Sequence, residues 1–409
     1  MCYLNYPFKK ICFFISVPVF CFATNFGGEW GNSAYLYKNR LDTVQSLANF
    51  YENLNFHAIN INGSDISAYT DLNATNGFTS PDRKKFEVNH LFLDWRDIGA
   101  FADIRVGRQR VYEGCKSTYL DGLSLESRIT NAISLSGYGG LQVPSRFSSS
   151  FVTTNRDSSP AEIGLRARGN FKQTNIGLSF FDSHDRSKNL EQDLGADLTH
   201  SFGKKLFLKS DFIYKIDNGK LNDLDLLLDF KPSDRAILTA AYNVNYSLPE
   251  TLDVFASKIF QNYQQLRFNT LFFISSATTI ETGYLYRTLD DNSINHEFEC
   301  LVNHGPLSAG FQQLWGYGGF STAGNASVRF WKTSLSEIEA GANVTRYGFS
   351  DTVGTALYAW LGRLAIDFTP TAPWLDSRLE FQGLRNRYYK YDARILFMTH
   401  VRFSKFTKQ

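Results

Sequence analysis

The sequence predicts an all-β fold: a single transmembrane antiparallel β-barrel of about 18–22 strands. Three observations predict it. Apolar and polar residues alternate at period two through segments of about ten residues, long enough to cross a bilayer at a tilt and about twice an ordinary strand. Full charges recur in mid-strand on the polar face, where a wet lumen tolerates them. The chain is also rich in aromatics, with 36 Phe, 21 Tyr and 6 Trp in 409 residues. It is 43% hydrophobic, yet its mean hydropathy is −0.26. A disordered chain lacks such aromatics, and a helical membrane protein needs unbroken apolar runs that this sequence does not contain.

The first 23 residues read as a Sec-type signal peptide, cleaved after Ala23. Lys9 and Lys10 carry its positive charge, Ile11–Phe22 form a short apolar run, and Cys21 and Ala23 supply small residues before the cut. The expected mature chain is one domain, residues 24–409. Removing the signal removes two lysines, so the +2 formal charge falls to zero. No basic excess is left for nucleic acid. Cys2, Cys12 and Cys21 leave with the signal; Cys115 and Cys300 stay, too few for a disulfide framework.

Strand segments follow in chain order. Phe86–Trp95, Phe101–Gln109, Leu120–Glu126 and Ile133–Gly139 come first. Glu162–Phe171 alternates cleanly, with Ile163, Leu165 and Ala167 opposing Glu162, Arg166 and Arg168. Leu206–Tyr214, Ala236–Tyr246 and Leu266–Ile274 continue the pattern, with Lys231-Pro232-Ser233-Asp234 as a turn. Thr279–Arg287, Leu307–Trp315, Ser327–Trp331, Leu335–Val344, Ala356–Phe368 and Leu379–Leu384 lead to Ile395–Ser404. Pro144–Pro160 and Leu248–Phe260 are the longest connections. Gly137–Gly140 and Gly316–Gly319 look like strand ends. Trp95, Trp315, Trp360, Trp374, Tyr388 and Tyr389 suit interfacial girdles.

In hydrocarbon every backbone group must pair internally, so the sheet closes. A barrel of about 20 strands is too wide to fill with side chains. It holds water, a loop folded inward, or a partner.

Residues Asp103–Glu126 read DIRVGRQRVYEGCKSTYLDGLSLE, and Ile133–Val143 read ISLSGYGGLQV. This stretch resembles a signature of bacterial outer-membrane porin-like barrels. It is similar to the alginate-export type and to the barrel component of porin–cytochrome conduits. In those families a strand ending in Gly-Arg-Gln precedes a loop and an Asp-Gly-Leu strand. The matching residues are Gly107, Arg108, Gln109, Asp121, Gly122 and Leu123. By parity Arg105 and Gln109 face the lumen, as does Glu126, whereas Arg108 and Arg110 fall on the lipid side, where they are costly at mid-depth. They therefore belong at a rim, or a bulge re-aims them. Arg105 or Gln109 is expected to meet Glu126 across the hairpin; separate solvated charges are the alternative.

No His-Glu-x-x-His, Cys-x-x-Cys-His, Gly-x-Ser-x-Gly or phosphate-cradling motif occurs, so no catalytic residue, metal ligand or cofactor is expected and the chain is not read as an enzyme. His184 beside Asp182 and Ser183 reads as a solvated loop. The expected function is a passive outer-membrane channel for small hydrophilic solutes. Its lumen charges would be Arg105, Arg166, Arg168, Lys209, Arg287, Arg329 and Arg402 against Asp103, Glu126, Glu162, Asp211, Glu281, Glu337 and Glu339. That balance predicts weak ion selectivity. The expected partners are outer-membrane lipid, the assembly machinery and the solute. One alternative is a sleeve around a multihaem cytochrome; another is a secreted soluble β protein.

Overall fold

A computed structural model describes residues 23–39, 45–61, 63–77, 85–143, 159–185, 188–246, 262–316, 319–348, 357–368, 374–385 and 392–405. The expected signal lies outside them apart from Ala23, as do Tyr388, Tyr389 and nearly all of both long connections.

Twenty-two strands form one sheet. They are β1 (Ala23–Asn39), β2 (Gln45–Ile61), β3 (Ile66–Gly77), β4 (Lys85–Ile98), β5 (Ala102–Glu113), β6 (Lys116–Arg128), β7 (Ile133–Gln142) and β8 (Ala161–Phe171). Then come β9 (Thr174–Asp185), β10 (Lys188–Phe202), β11 (Leu206–Lys215), β12 (Lys220–Ser233), β13 (Ala236–Asn245), β14 (Tyr263–Phe273) and β15 (Thr278–Leu289). The rest are β16 (Ile294–His304), β17 (Leu307–Gly316), β18 (Gly319–Lys332), β19 (Ser336–Gly348), β20 (Leu357–Phe368), β21 (Leu375–Arg385) and β22 (Asp392–Lys405).

Every strand pairs antiparallel with its neighbours in sequence, and β1 also pairs with β22, from Phe26↔Lys405 to Leu36↔Ile395. The meander is thereby closed, and no free sheet edge runs its length. Turns such as 99–101, 172–173 and 203–205 lie at one end, with the start of β1 and the end of β22; the strand ends at 142, 161, 245 and 263, from which the two long connections leave, lie at the other. Barrels of this kind carry short turns on one side of the membrane and longer loops on the other.

Alternation sorts the side chains. Leu93, Val106, Leu123, Leu135, Leu165, Leu178, Phe268 and Val344 are exposed on the outer face, where lipid replaces water. Aromatics ring both ends. Trp95, Phe101, Trp331 and Trp374 are exposed at the short-turn end, and Trp315, Tyr358 and Trp360 at the long-loop end. Gly137–Gly140 proves to be the middle of β7 rather than its end.

Candidate functional site

The barrel wall is incomplete at one place. Pairing of β5 with β4 stops at Arg108, opposite Leu91. Pairing of β6 with β7 begins at Leu120, opposite Gln142, with one further bond from the Val143 N–H to the Tyr119 carbonyl at 2.8 Å. Between these points β5 and β6 stay paired with each other down to Glu113↔Lys116. The freed hairpin, residues 109–119, folds into the lumen. Its tip touches β8, β9 and β10, which are not its neighbours in the sheet, and such contacts form only across a barrel's interior.

Glycines make the bend. Gly107 has φ 128°, and a Cβ there would lie 2.3 Å from the Leu91 carbonyl oxygen. Only glycine fits that conformation and that approach. Its cross-strand partner is Gly122, whose Cβ would lie 2.2 Å from the Gly139 carbonyl oxygen. Gln109 locks the base and is fully buried. Its amide donates to the carbonyls of Arg105 (3.3 Å) and Gly122 (3.4 Å), and its carbonyl accepts from the Ser124 hydroxyl at 2.9 Å.

Arg108 sits at the departure point. Its Nε and Nη2 donate to the two carboxylate oxygens of Asp121 at 2.8 and 2.7 Å, and its Nη1 donates to the Val88 carbonyl at 3.4 Å. Val88 lies on the part of β4 that β5 has left, so the guanidinium covers a carbonyl otherwise short of a ladder partner. Arg108 therefore keeps its outward register without standing alone in lipid, because it is paired and only 7% exposed. Arg110 avoids lipid differently: past the bend its face of the hairpin looks into the lumen, where the guanidinium stacks on Tyr119 at 5.7 Å and Tyr119 meets His90 at 5.7 Å. The wall portion of β5, seven residues, covers about 23 Å along the strand and about 16 Å of membrane depth at a 45° tilt. That is short of the ~25 Å apolar band. An outer dent of 540 Å³ lies there, lined by Val88, Leu91, Val106 and Leu123 around the ion pair.

The tip docks on the inner wall formed by β7–β10, the strands that follow it. The Cys115 N–H donates to the Ser179 hydroxyl at 3.0 Å. Glu113 accepts from the Ser136 hydroxyl at 2.6 Å and from Arg168 at 3.2 Å. Lys116 pairs with Glu191 at 2.6 Å and lies 5.1 Å from the Phe181 ring centre; Lys215 meets the same carboxylate at 3.2 Å. Val111, Cys115, Leu120, Tyr138 and Phe181 form a small apolar core between hairpin and wall. Tyr138 lies flat because β8 offers Gly164 beneath it, where a Cβ would come 2.1 Å from the ring. Cys300 is far from Cys115, on the outer register of β16, and both thiols are free.

All fifteen residues expected on the lumen side occupy inward register positions, but their surroundings differ. Gln109 and Glu162 are buried, the latter 1% exposed. Asp103 pairs with Arg128 at 2.9 Å, Arg105 with Asp94 at 3.8 Å, Arg166 with Asp197 at 2.5 Å and Lys209 with Asp211 at 2.7 Å. Arg329 meets Glu337 at 3.8 Å, Glu339 pairs with Arg363, and Arg402 meets Asp376 at 2.6 Å. Arg287 donates to the Gln265 side-chain carbonyl at 2.8 Å. Neither Arg105 nor Gln109 meets Glu126: the register places Asp103 opposite it, and its cation is Arg168 at 4.0 Å. Sequence parity missed this because Gln109 turns to the hairpin's own backbone at the bend. It also missed Glu113, Tyr138, Phe181 and Glu191, which meet the hairpin only once it has folded inward over β7–β10; only the Tyr138 motif stood out.

His184 Nδ1 lies 2.8 Å from Asp182, while Ser183 alternates to the other face. Among the described residues no group of His, Cys, Asp and Glu is arranged to hold a metal ion.

No family model matches the chain, and no curated protein matches it in sequence. Solved structures do match. The ferric citrate transporter FecA, unliganded, aligns with TM-score 0.55 and 10% identity over 93% of this chain and 79% of its own. The translocation pore of the P pilus usher PapC aligns with TM-score 0.53 and 8% identity over 93% of this chain and all of its own. OpdL of Pseudomonas aeruginosa aligns with TM-score 0.46 and 10% identity over 93% and 98%. At such identities the first two establish the fold: the chain is similar to outer-membrane β-barrels, and it is itself a closed transmembrane barrel of 22 antiparallel strands.

Proposed function

We propose that the protein is a passive outer-membrane channel for small hydrophilic solutes, narrowed from one side by the β5–β6 hairpin. The observation that carries this reading is the split interior. The hairpin packs against β7–β11, while the inner face of β12–β20 carries Asn, Gln, Thr, Asp, Glu and Arg, and among the described residues no packed apolar layer lies over it. A polar wall of that kind binds water and lets polar solutes pass without desolvation. Apolar outer strands and aromatic ends fit residence in an outer membrane. A cytochrome sleeve remains a partner hypothesis with less support, because the hairpin occupies lumen that a threaded protein needs.

The test is reconstitution. Purified protein in planar bilayers is expected to give stepwise conductance, and proteoliposomes are expected to swell in small sugars but not in large oligosaccharides. A protein that inserts, shows a heat-modifiable gel shift and conducts nothing contradicts the reading.

A further inference from the structure

Resting on that channel reading, we infer that the conduit passes cations in preference to anions, and that carboxylates on β12, β15 and β16 set the preference.

The inner wall treats its two signs of charge unequally. Most of its cations are paired: Arg166 with Asp197, Arg168 with Glu113, Lys116 and Lys215 with the shared Glu191, Arg363 with Glu339, and Arg378 with Asp367 and Glu380. The hairpin also lies over part of the basic wall. The Arg166 side chain is only 10% exposed, so its charge reaches the water path paired and covered.

The open wall is the reverse. Asp223, Asp225, Asp229, Glu281, Glu297 and Glu299 occupy inward positions on β12, β15 and β16, and among the described residues none of them forms an ion pair. Neutral donors hold three of them. The Asn243 amide donates to Asp225, the Thr239 hydroxyl to Asp229 at 2.6 Å, and the Gln312 amide to Glu297 at 2.7 Å. Such donors fix a carboxylate's position and leave its charge intact. Arg267 and Arg287 are the inward cations of β13–β16, and Arg287 is turned to Gln265 and the Tyr263 ring, 4.8 Å from its centre.

The field felt by a permeating ion is therefore that of the uncompensated wall. Paired charges 3 Å apart act as dipoles whose potential falls away quickly, whereas six carboxylates without ion pairs along one side, offset only in part by Arg267 and Arg287, leave that side net negative. A lumen potential of about one kT favours a monovalent cation over an anion by about sevenfold. The seven cations and seven acids read from sequence are present; the excess of acid comes from Asp223, Asp225, Asp229, Glu297 and Glu299, inward positions which that balance did not include.

The experiment is a reversal-potential measurement in a KCl gradient on the full-length protein in planar bilayers, at about 0.1 M and 1 M salt. Cation preference is expected severalfold above unity at low salt and weaker at high salt, since the Debye length shortens from about 10 Å to about 3 Å. Asp223→Asn/Asp225→Asn/Asp229→Asn is expected to bring the ratio close to unity, and Asp225→Glu to preserve it. Glu297→Gln/Glu299→Gln is a second route should the triple variant fail its gel-shift test of folding. A conducting wild type with a ratio at or below unity overturns the inference alone, as do folded variants that leave the ratio unchanged. Absence of any conductance overturns the channel reading and the inference with it.

Discussion

The sectors β5–β11 and β12–β17 obey the same alternation and solve their interiors in opposite ways. In the first, the inner face has a partner: the hairpin supplies Val111 and Cys115 against Phe181 and Tyr138, and the charges around that core pair across it. In the second no such partner lies on the inner face among the described residues, and Thr239, Asn243 and Gln312 do for the carboxylates what water does elsewhere. The difference teaches that strand parity sets which way a side chain points but not what it meets. The meeting is decided by two glycines at Gly107 and Gly122, which let one hairpin leave the wall.

The comparison breaks most visibly if the hairpin is removed. Replacing residues 110–119 by a short Gly-Ser turn is expected to leave a folded barrel and raise single-channel conductance severalfold; unchanged conductance would mean the hairpin does not narrow the path. Phe181→Ala should cost about 3–5 kcal/mol of hairpin docking, seen as trypsin cleavage at Lys116 in folded protein. The matching change in the open sector, Leu227→Ala, removes a half-buried side chain with no layer above it among the described residues and should cost about 1 kcal/mol or less.

Arg108→Ala leaves Asp121 unpaired at the edge of lipid, and should cost about 3 kcal/mol. A double-mutant cycle with Asp121→Asn in urea titrations is expected to show coupling of about 1–3 kcal/mol; no coupling would show that the pair does not hold the bend. The smallest effect belongs to Thr239→Ala, about 0.5 kcal/mol or less, because water replaces the lost hydroxyl at Asp229.

Much of this was legible in the sequence. The clean alternation of Glu162–Phe171 and Thr279–Arg287 marks strands because lipid and water sit on opposite sides of them. The segments ending at Gln109 and resuming at Leu120 even bracket the place where β5 and β6 leave the wall. The wall-facing register fails there for a physical reason: the hairpin's two faces no longer see lipid and lumen, so Arg110 stands on lipid parity and points to water. Strands β1 to β3 were not legible, since Gly27, Gly28, Gly31 and a run of Asn residues blur their alternation. The site was legible only as a signature. Gly107, Arg108, Gln109, Asp121 and Gly122 are all at the bend, but nothing local says that Glu113 reaches Ser136 and Arg168, or that Cys115 reaches Ser179 64 residues away.

That last contact gives the most direct test of the account. In a Ser179→Cys variant with Cys300 changed to Ser, the new thiol stands beside Cys115 at the tip, within reach of a disulfide after small adjustment. Mild oxidation of folded protein in membranes is expected to close that bridge nearly completely, giving a faster-migrating band on denaturing gels that reductant abolishes. Failure to form the bridge in folded, membrane-inserted protein would contradict a hairpin docked inside the lumen.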